Sequence, residues 1–269
     1  MTESLKLMCI LAHPDDESMG TGGVLAKYAS AGVATYLVTA TRGERGWNGP
    51  EEDNPGLEAL GKMREAELIE AASVLGLHEV SHLDYVDGDL DQADPRQAIA
   101  KITQFIRRVR PQVVVTFSPD GAYGHPDHIA ISQFTQAAIV CAADAGYIDP
   151  QAAQPHRVSK FYYMVESESL VQAVRSIMGG ISMEVDGVNR RHFGWPEWAI
   201  TTRIDATAHW RTVVKAILCH RSQIPSLPGF NEWGDDLHKK IWGPGNFYRV
   251  FSLVNGGRRV EDDFFEGLR

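Results

Sequence analysis

The chain has 269 residues, with 26 Lys and Arg against 35 Asp and Glu, giving a formal net charge of −9. Hydrophobic residues at 43% and charged residues at 23% are globular proportions and exclude a disordered or fibrous chain. The acidic balance argues against nucleic acid or an anionic membrane surface as a partner. Cys9, Cys141 and Cys219 are too few and too scattered for a disulfide framework, so reduced thiols are expected. The first apolar stretch is too short, and followed too soon by charge, for a signal peptide or membrane span. A cytoplasmic location is therefore expected.

In chain order, residues 7–11 (LMCIL) read as a buried strand, and a helix is expected from Pro14 to about Ser30. Residues 34–39 (ATYLVT) form a second strand, rich in β-branched and aromatic side chains. Residues 57–75 carry a helical pattern closed by Gly76, and residues 79–83 fit a third strand. Asp94 and Pro95 open a helix that runs to about Val109, as N-cap and first helical residue. Pro111 stops it, and residues 112–117 (QVVVTF) read as a central buried strand. A helix over residues 128–143 and a strand over residues 160–165 follow. Beyond residue 166 the pattern is less regular, with five of the six tryptophans and a single long helical pattern over residues 208–220.

Strand–helix alternation of this kind predicts an α/β fold, with a Rossmann-like, mainly parallel sheet and helices on both faces. Residues 1–165 supply the core, and residues 166–269 a cap or extension on the same domain. The glycines of residues 20–23 (GTGG) are expected inside the first helix, where close packing on the sheet explains them.

In open parallel sheets, ligands bind beyond the carboxyl ends of the strands. Two predicted strands end in polar clusters there: LMCIL runs into AHPDDE, and QVVVTF into SPDGAYGHPDH. His13 and Asp16, three apart at a turn into a helix, can converge on one point, and both are zinc-ligand types. Alone, that cluster is equally well read as a helix N-terminus with solvated carboxylates. His125 and His128 are again three apart after a strand. One histidine from this second cluster would complete a His-Asp-His set with an open coordination position, the catalytic arrangement. Two His-Pro-Asp tripeptides at one sheet edge do not arise easily from turn chemistry, and they point to metal binding.

AHPDDESMGTGG and YGHPDH, in this order and at this separation, resemble the LmbE/PIG-L-type zinc-dependent N-acetylglucosamine deacetylases, which have a Rossmann-like fold. The stretch from ADPRQ to GHPDH is especially similar to the branch that acts on mycothiol and its precursor. The resemblance spans residues 5–145 and continues weakly through WAITTRID and CHRSQ. It implies that His13, Asp16 and His128 are the zinc ligands and Asp15 the general base. By the same likeness, His125 assists the oxyanion or the leaving group, Tyr123 polarises the substrate carbonyl, and Asp127 orients an imidazole. Arg64 in MREAEL and Asp87 in YVDGD match residues that bind sugar hydroxyls. The implied partner is a small amino-sugar molecule, and the resemblance also suggests a homo-oligomer.

Glu44 in TRGERGW follows the second strand and is a further candidate for substrate contact. His220 and Gln223 fit either the pocket lining or, for His220, a favourable cation at a helix C-terminus. Iron(II) suits a His₂-Asp set nearly as well as zinc. Rival readings are an amidase acting on mycothiol S-conjugates, a deacetylase of free N-acetylglucosamine or its short oligomers, and a non-catalytic Rossmann-like metal-binding protein. Asp15, which is not needed to hold a metal, speaks against the last.

Overall fold

A computed structural model describes residues 4–148, 151, 153–180, 182–185, 187–257 and 259–269. Strand β1 (Lys6–Leu11) is buried at every position after Lys6. It is followed by a short helix α1 (Asp16–Gly20) and, after a break at Thr21, by α2 (Gly22–Ser30). The single helix expected here is thus two. Thr21 closes α1 by donating both its amide and its hydroxyl to the Glu17 carbonyl, at 3.3 and 3.1 Å. GTGG therefore straddles a helix start instead of lying mid-helix. Its glycines admit C-terminal segments of the chain: a Cβ on Gly23 would lie 3.0 Å from both the Ala206 side chain and the Trp242 carbonyl.

Next come β2 (Ala34–Thr39), α3 (Leu57–Leu75), β3 (Glu79–His82), α4 (Pro95–Val109) and β4 (Val113–Phe117). Gly76 ends α3 in the left-handed conformation, at φ 77°. The Asp94 carboxylate caps α4 by accepting from the Arg96 amide at 2.9 Å. All five residues of β4 are buried. After the single turn α5 (Gly121–Gly124), α6 (Pro126–Ala143) begins two residues earlier than the sequence pattern suggests, because Pro126 occupies its first turn and His125 caps it. Strand β5 (Lys160–Val165) follows.

The remaining residues form α7 (Glu168–Met178), a hairpin of β6 (Ser182–Val185) and β7 (Val188–Arg191), then β8 (Thr202–Asp205), α8 (Trp210–Cys219), α9 (Asp235–Trp242) and β9 (Pro244–Ser252). Among the described residues seven strands make one sheet in the order β3-β2-β1-β4-β5-β9-β8. The first five are parallel, while β9 runs antiparallel to β5 and β8 antiparallel to β9. The C-terminal part of the chain therefore widens the sheet as well as covering it. Helices α4 and α6 pack together, as do α2, α3 and α8. Trp233 and Trp242 pack with Val213, Ile217 and Phe230 in a small separate core, which accounts for two of the late tryptophans without a ligand.

From β1 the chain winds outward through β2 and β3, and from β4 it winds the other way to β5. The reversal lies between β1 and β4, which pair directly from Leu7 with Val113 to Cys9 with Val115. That is the switch point at which an α/β sheet opens a crevice. Both His-Pro-Asp clusters leave the sheet there. Among the described residues no helix is long and apolar enough to cross a membrane.

Candidate metal centre and active site

His13 Nδ1 lies 3.2 Å from His128 Nε2, and the two nitrogens lie 3.7 and 3.6 Å from the oxygens of Asp16. Ligand atoms held about 2.0–2.1 Å from one tetrahedral ion are roughly 3.3–3.5 Å apart. The two nitrogens are close to that separation, and each lies slightly further from a different oxygen of Asp16; His125 with these two histidines, and Asp87 and Asp127 with His13, also form groups that could hold an ion. Asp16 is fixed because its Oδ2 accepts the amides of Ala12 and His13, at 3.1 and 2.7 Å, where β1 ends.

The other nitrogen of each imidazole decides what faces the triangle. His13 Nε2 is 3.1 Å from both Asp127 Oδ2 and Asp87 Oδ1, and His128 Nδ1 is 3.3 Å from the Gly121 carbonyl. These acceptors can take the Nε2 proton of His13 and the Nδ1 proton of His128, so a metal ion that displaced the second His13 proton would meet lone pairs on His13 Nδ1 and His128 Nε2. Such a donor set is one for a metal ion. The electrostatics agree. Burial disfavours charge on His13, but Asp127, Asp87 and Asp16 outweigh it and raise the imidazolium to about 10. Burial and the neighbouring His13 push His128 well below its ordinary value. The cage thus attracts one positive charge beside a neutral imidazole.

Asp15 has a different environment. Its backbone sits at φ 105°, ψ −30°, a strained conformation for a residue with a side chain. Its carboxylate pairs with Arg64, Oδ2 lying 3.1 Å from Arg64 Nη2. Burial raises its pKa, opposed first by Arg64. Arg64 is itself buried and donates to the carbonyls of Pro14 (2.6 Å) and Gly43 (2.9 Å). A Cβ at 43 or 46 would fall 2.2 or 2.1 Å from Arg64 Nη1, so a side chain at either position would displace the guanidinium. The guanidinium expected on sugar hydroxyls pairs with Asp15 and with the Pro14 and Gly43 carbonyls, and its Nε has no protein partner among the described residues.

In Asp87 one carboxylate oxygen faces His13 and the other accepts the Arg45 amide at 3.1 Å, so the side chain is placed to orient an imidazole. Asp127 is fully buried and accepts the amides of Gly88 and Leu90, at 2.7 and 3.1 Å, while orienting His13. Glu44 is half-buried, with Oε2 accepting the Asp87 amide at 3.1 Å. It lines, with Arg45, Trp47 and Asn54, an open cavity of about 530 Å³ beside the cluster.

The Tyr123 ring stands edge-on to both His125 and His128. Burial and then Asp16 raise its pKa, so the phenol stays protonated. The preceding Ala122 is a second strained residue at the site, at φ 63°, ψ −80°. His125 Nδ1 accepts the Asp127 amide at 3.1 Å, which leaves Nε2 carrying the proton. Burial and then His13 lower the His125 pKa to about 4, so it is a neutral donor.

His220 caps the C-terminus of α8, in the interior of the protein. It is fully buried, with Nε2 2.7 Å from Glu17 Oε1. Burial disfavours its charge, but Glu17 overcomes that and raises its pKa. Glu17 belongs to the acidic helix start noted in the sequence, but its pairing with His220 is non-local and has no local signal.

Residues 8–139 match the family described as PIG-L: GlcNAc-PI de-N-acetylase. The 1D-myo-inositol 2-acetamido-2-deoxy-alpha-D-glucopyranoside deacetylase of Kineococcus radiotolerans is 32% identical to this chain, over 98% of it and 83% of its own length. The chain belongs to the PIG-L family. Its likeness to that family is not confined to residues 5–145. The mycothiol S-conjugate amidase of Streptomyces coelicolor is 31% identical over 100% of this chain and 99% of its own. N,N'-diacetylchitobiose deacetylase from Pyrococcus horikoshii shares the fold, with a TM-score of 0.70 at 20% identity, over 92% of this chain and 84% of that one.

Proposed function

We propose that this PIG-L family member is a zinc-dependent hydrolase that removes the N-acetyl group from an N-acetylglucosamine-containing small molecule, giving acetate and a free amine. The observation that carries it is the His13–Asp16–His128 triangle at the switch point, with a carboxylate, Asp15, beside it that takes no part in the triangle. A zinc ion bound there supplies a Lewis acid that polarises the amide carbonyl and lowers the pKa of water towards about 7.

The chain's own groups do the rest. Asp15 takes a proton from the attacking water and passes it to the leaving amine. Tyr123 and His125, both protonated donors, face the oxygen that gains charge in the tetrahedral intermediate. One such donor contributes ~3–4 kcal/mol. The cavity beside Glu44 and Trp47 receives the remainder of the sugar conjugate.

The test is acetate release from free N-acetylglucosamine, its β-linked dimer and the inositol-linked sugar, and free-amine release from a thiol S-conjugate, with and without chelator. Chelator-sensitive acetate release is the expected result. Cleavage of the S-conjugate alone would replace this reading by the amidase, and no cleavage of any compound would end it. Arg64→Lys tests the reassigned arginine: a lysine cannot serve Pro14, Gly43 and Asp15 together. The expected result is a fall in kcat of about 10–100-fold, the usual size for a residue supporting a catalytic group, with zinc content and KM unchanged. An increase confined to KM would restore the sugar-binding role.

A further inference from the structure

The chemistry above makes no use of residues 220–223 (HRSQ), the run that follows α8. His220, Ser222 and Gln223 are nevertheless buried, at 0%, 7% and 5% exposure, more than 150 residues from what they touch. Each meets a different segment of the site. His220 Nε2 binds Glu17 Oε1, and Glu17 Oε2 accepts the Asp15 amide at 3.0 Å. Ser222 donates its amide and its hydroxyl to the two oxygens of Glu67, at 2.9 and 2.7 Å. Glu67 lies on α3 three residues after Arg64. Gln223 donates to the Gly46 carbonyl at 2.8 Å and accepts from Asn48 at 2.6 Å, in the loop through which Arg64 passes. Arg221 alone points outward, in an exposed pair with Glu70.

Asp15 explains why such a device is needed. A non-glycine residue at φ 105° persists only when its surroundings over-determine it. Here the Pro14 carbonyl and the Asp15 carboxylate are held by Arg64, and the Asp15 amide by Glu17. Glu17 and Glu67 are buried carboxylates that would be costly without donors, and residues 220–223 supply those donors.

We propose that His220, Ser222 and Gln223 form a positioning clasp. It fixes Asp15 through Glu17, and the Arg64 helix through Glu67, in the orientation that presents Asp15 beside the metal triangle. None of the three touches substrate or metal. The catalytic consequence rests on the amide-hydrolase reading, whereas the structural one does not.

The experiment compares zinc-loaded wild type, His220→Ala, His220→Gln and Arg221→Ala by acetate release, zinc stoichiometry and hydrogen exchange of the Asp15 amide. In His220→Ala, kcat falls about 10–100-fold with KM and zinc retained, and the Asp15 amide exchanges about tenfold faster or more. His220→Gln restores a donor to Glu17 and recovers most of both, while Arg221→Ala matches wild type. The clasp is overturned by an Asp15 amide that exchanges at the wild-type rate in His220→Ala, or by zinc lost in proportion to kcat. Should His220→Ala not fold, the same exchange measurement on Glu17→Gln decides in its place. Should wild type release no acetate, the amide-hydrolase reading fails and the exchange rates still decide the clasp.

Discussion

Asp15→Asn in the zinc-loaded protein is expected to keep its metal and to lose turnover by about 10²–10⁴-fold, the usual contribution of a general acid–base group. Asparagine is the right replacement, because it is among the few residues that tolerate positive φ and it preserves the shape that Arg64 grips. The change therefore removes the base with little disturbance of the turn. His128→Ala is the companion. It deletes one corner of the triangle and leaves His13 and Asp16 to hold an ion with two ligands, so metal and activity are lost together. Zinc stoichiometry and acetate release, measured on both variants, separate the two roles. Wild-type activity in Asp15→Asn, or equal metal loss in the two variants, would remove Asp15 from the mechanism.

The part of this site that was legible in the sequence is the part encoded locally. A run of buried residues, a His-Pro-Asp and a helix start lie within a dozen positions of one another, so the ends of β1 and β4 could be placed before any contact was known. The same holds for α4, where Asp94, Pro95 and the apolar spacing act within one turn, and for α3, stopped by Gly76. What could not be read is non-local. Strand β9 opens on Pro-Gly and is only partly buried, so it lacks the continuous apolar run of β4. Its place is set by pairing with β5, more than eighty residues away. Helix α7 does carry an apolar spacing at Leu170, Val174 and Ile177, but the glycines and irregular sequence that follow it obscured the signal.

Burial was the other hidden quantity. Arg64, Asp87 and His220 are buried and each pairs with protein groups whose positions the local sequence does not show. The Arg64 guanidinium places Nη1 and Nη2 on the Gly43 and Pro14 carbonyls and on Asp15, while its buried Nε has no partner among the described residues.

The largest stability effect is expected far from the chemistry, at Glu261. This buried carboxylate binds Lys160 Nζ at 2.8 Å and the Tyr162 hydroxyl at 2.9 Å on β5, Thr202 Oγ1 at 3.1 Å on β8, and Arg249 Nη1 at 3.0 Å on β9. It thus joins the parallel and antiparallel parts of the sheet. Lys160 is fully buried, so Glu261→Gln leaves an ammonium without its counter-charge. Breaking a buried pair from one side costs about 3–5 kcal/mol, which for a chain of this size lowers Tm by roughly 6–20 °C. Calorimetry of Glu261→Gln checks this. Removing both charges, as in Lys160→Met with Glu261→Gln, recovers part of the loss, though Arg249 still faces the site. The acid side gives an independent reading. Burial alone would raise the Glu261 pKa, but Lys160, Asn255 and Tyr162 outweigh it and bring it from 4.5 down to about 2. A folded value below the unfolded one stabilises the protein in full above about pH 4.5, and that contribution drains away as pH falls towards 2. Wild type should therefore lose this share of its stability across that window while Glu261→Gln does not. Parallel acid-unfolding curves for the two proteins would show instead that Glu261 is not the group whose charge holds the strands together.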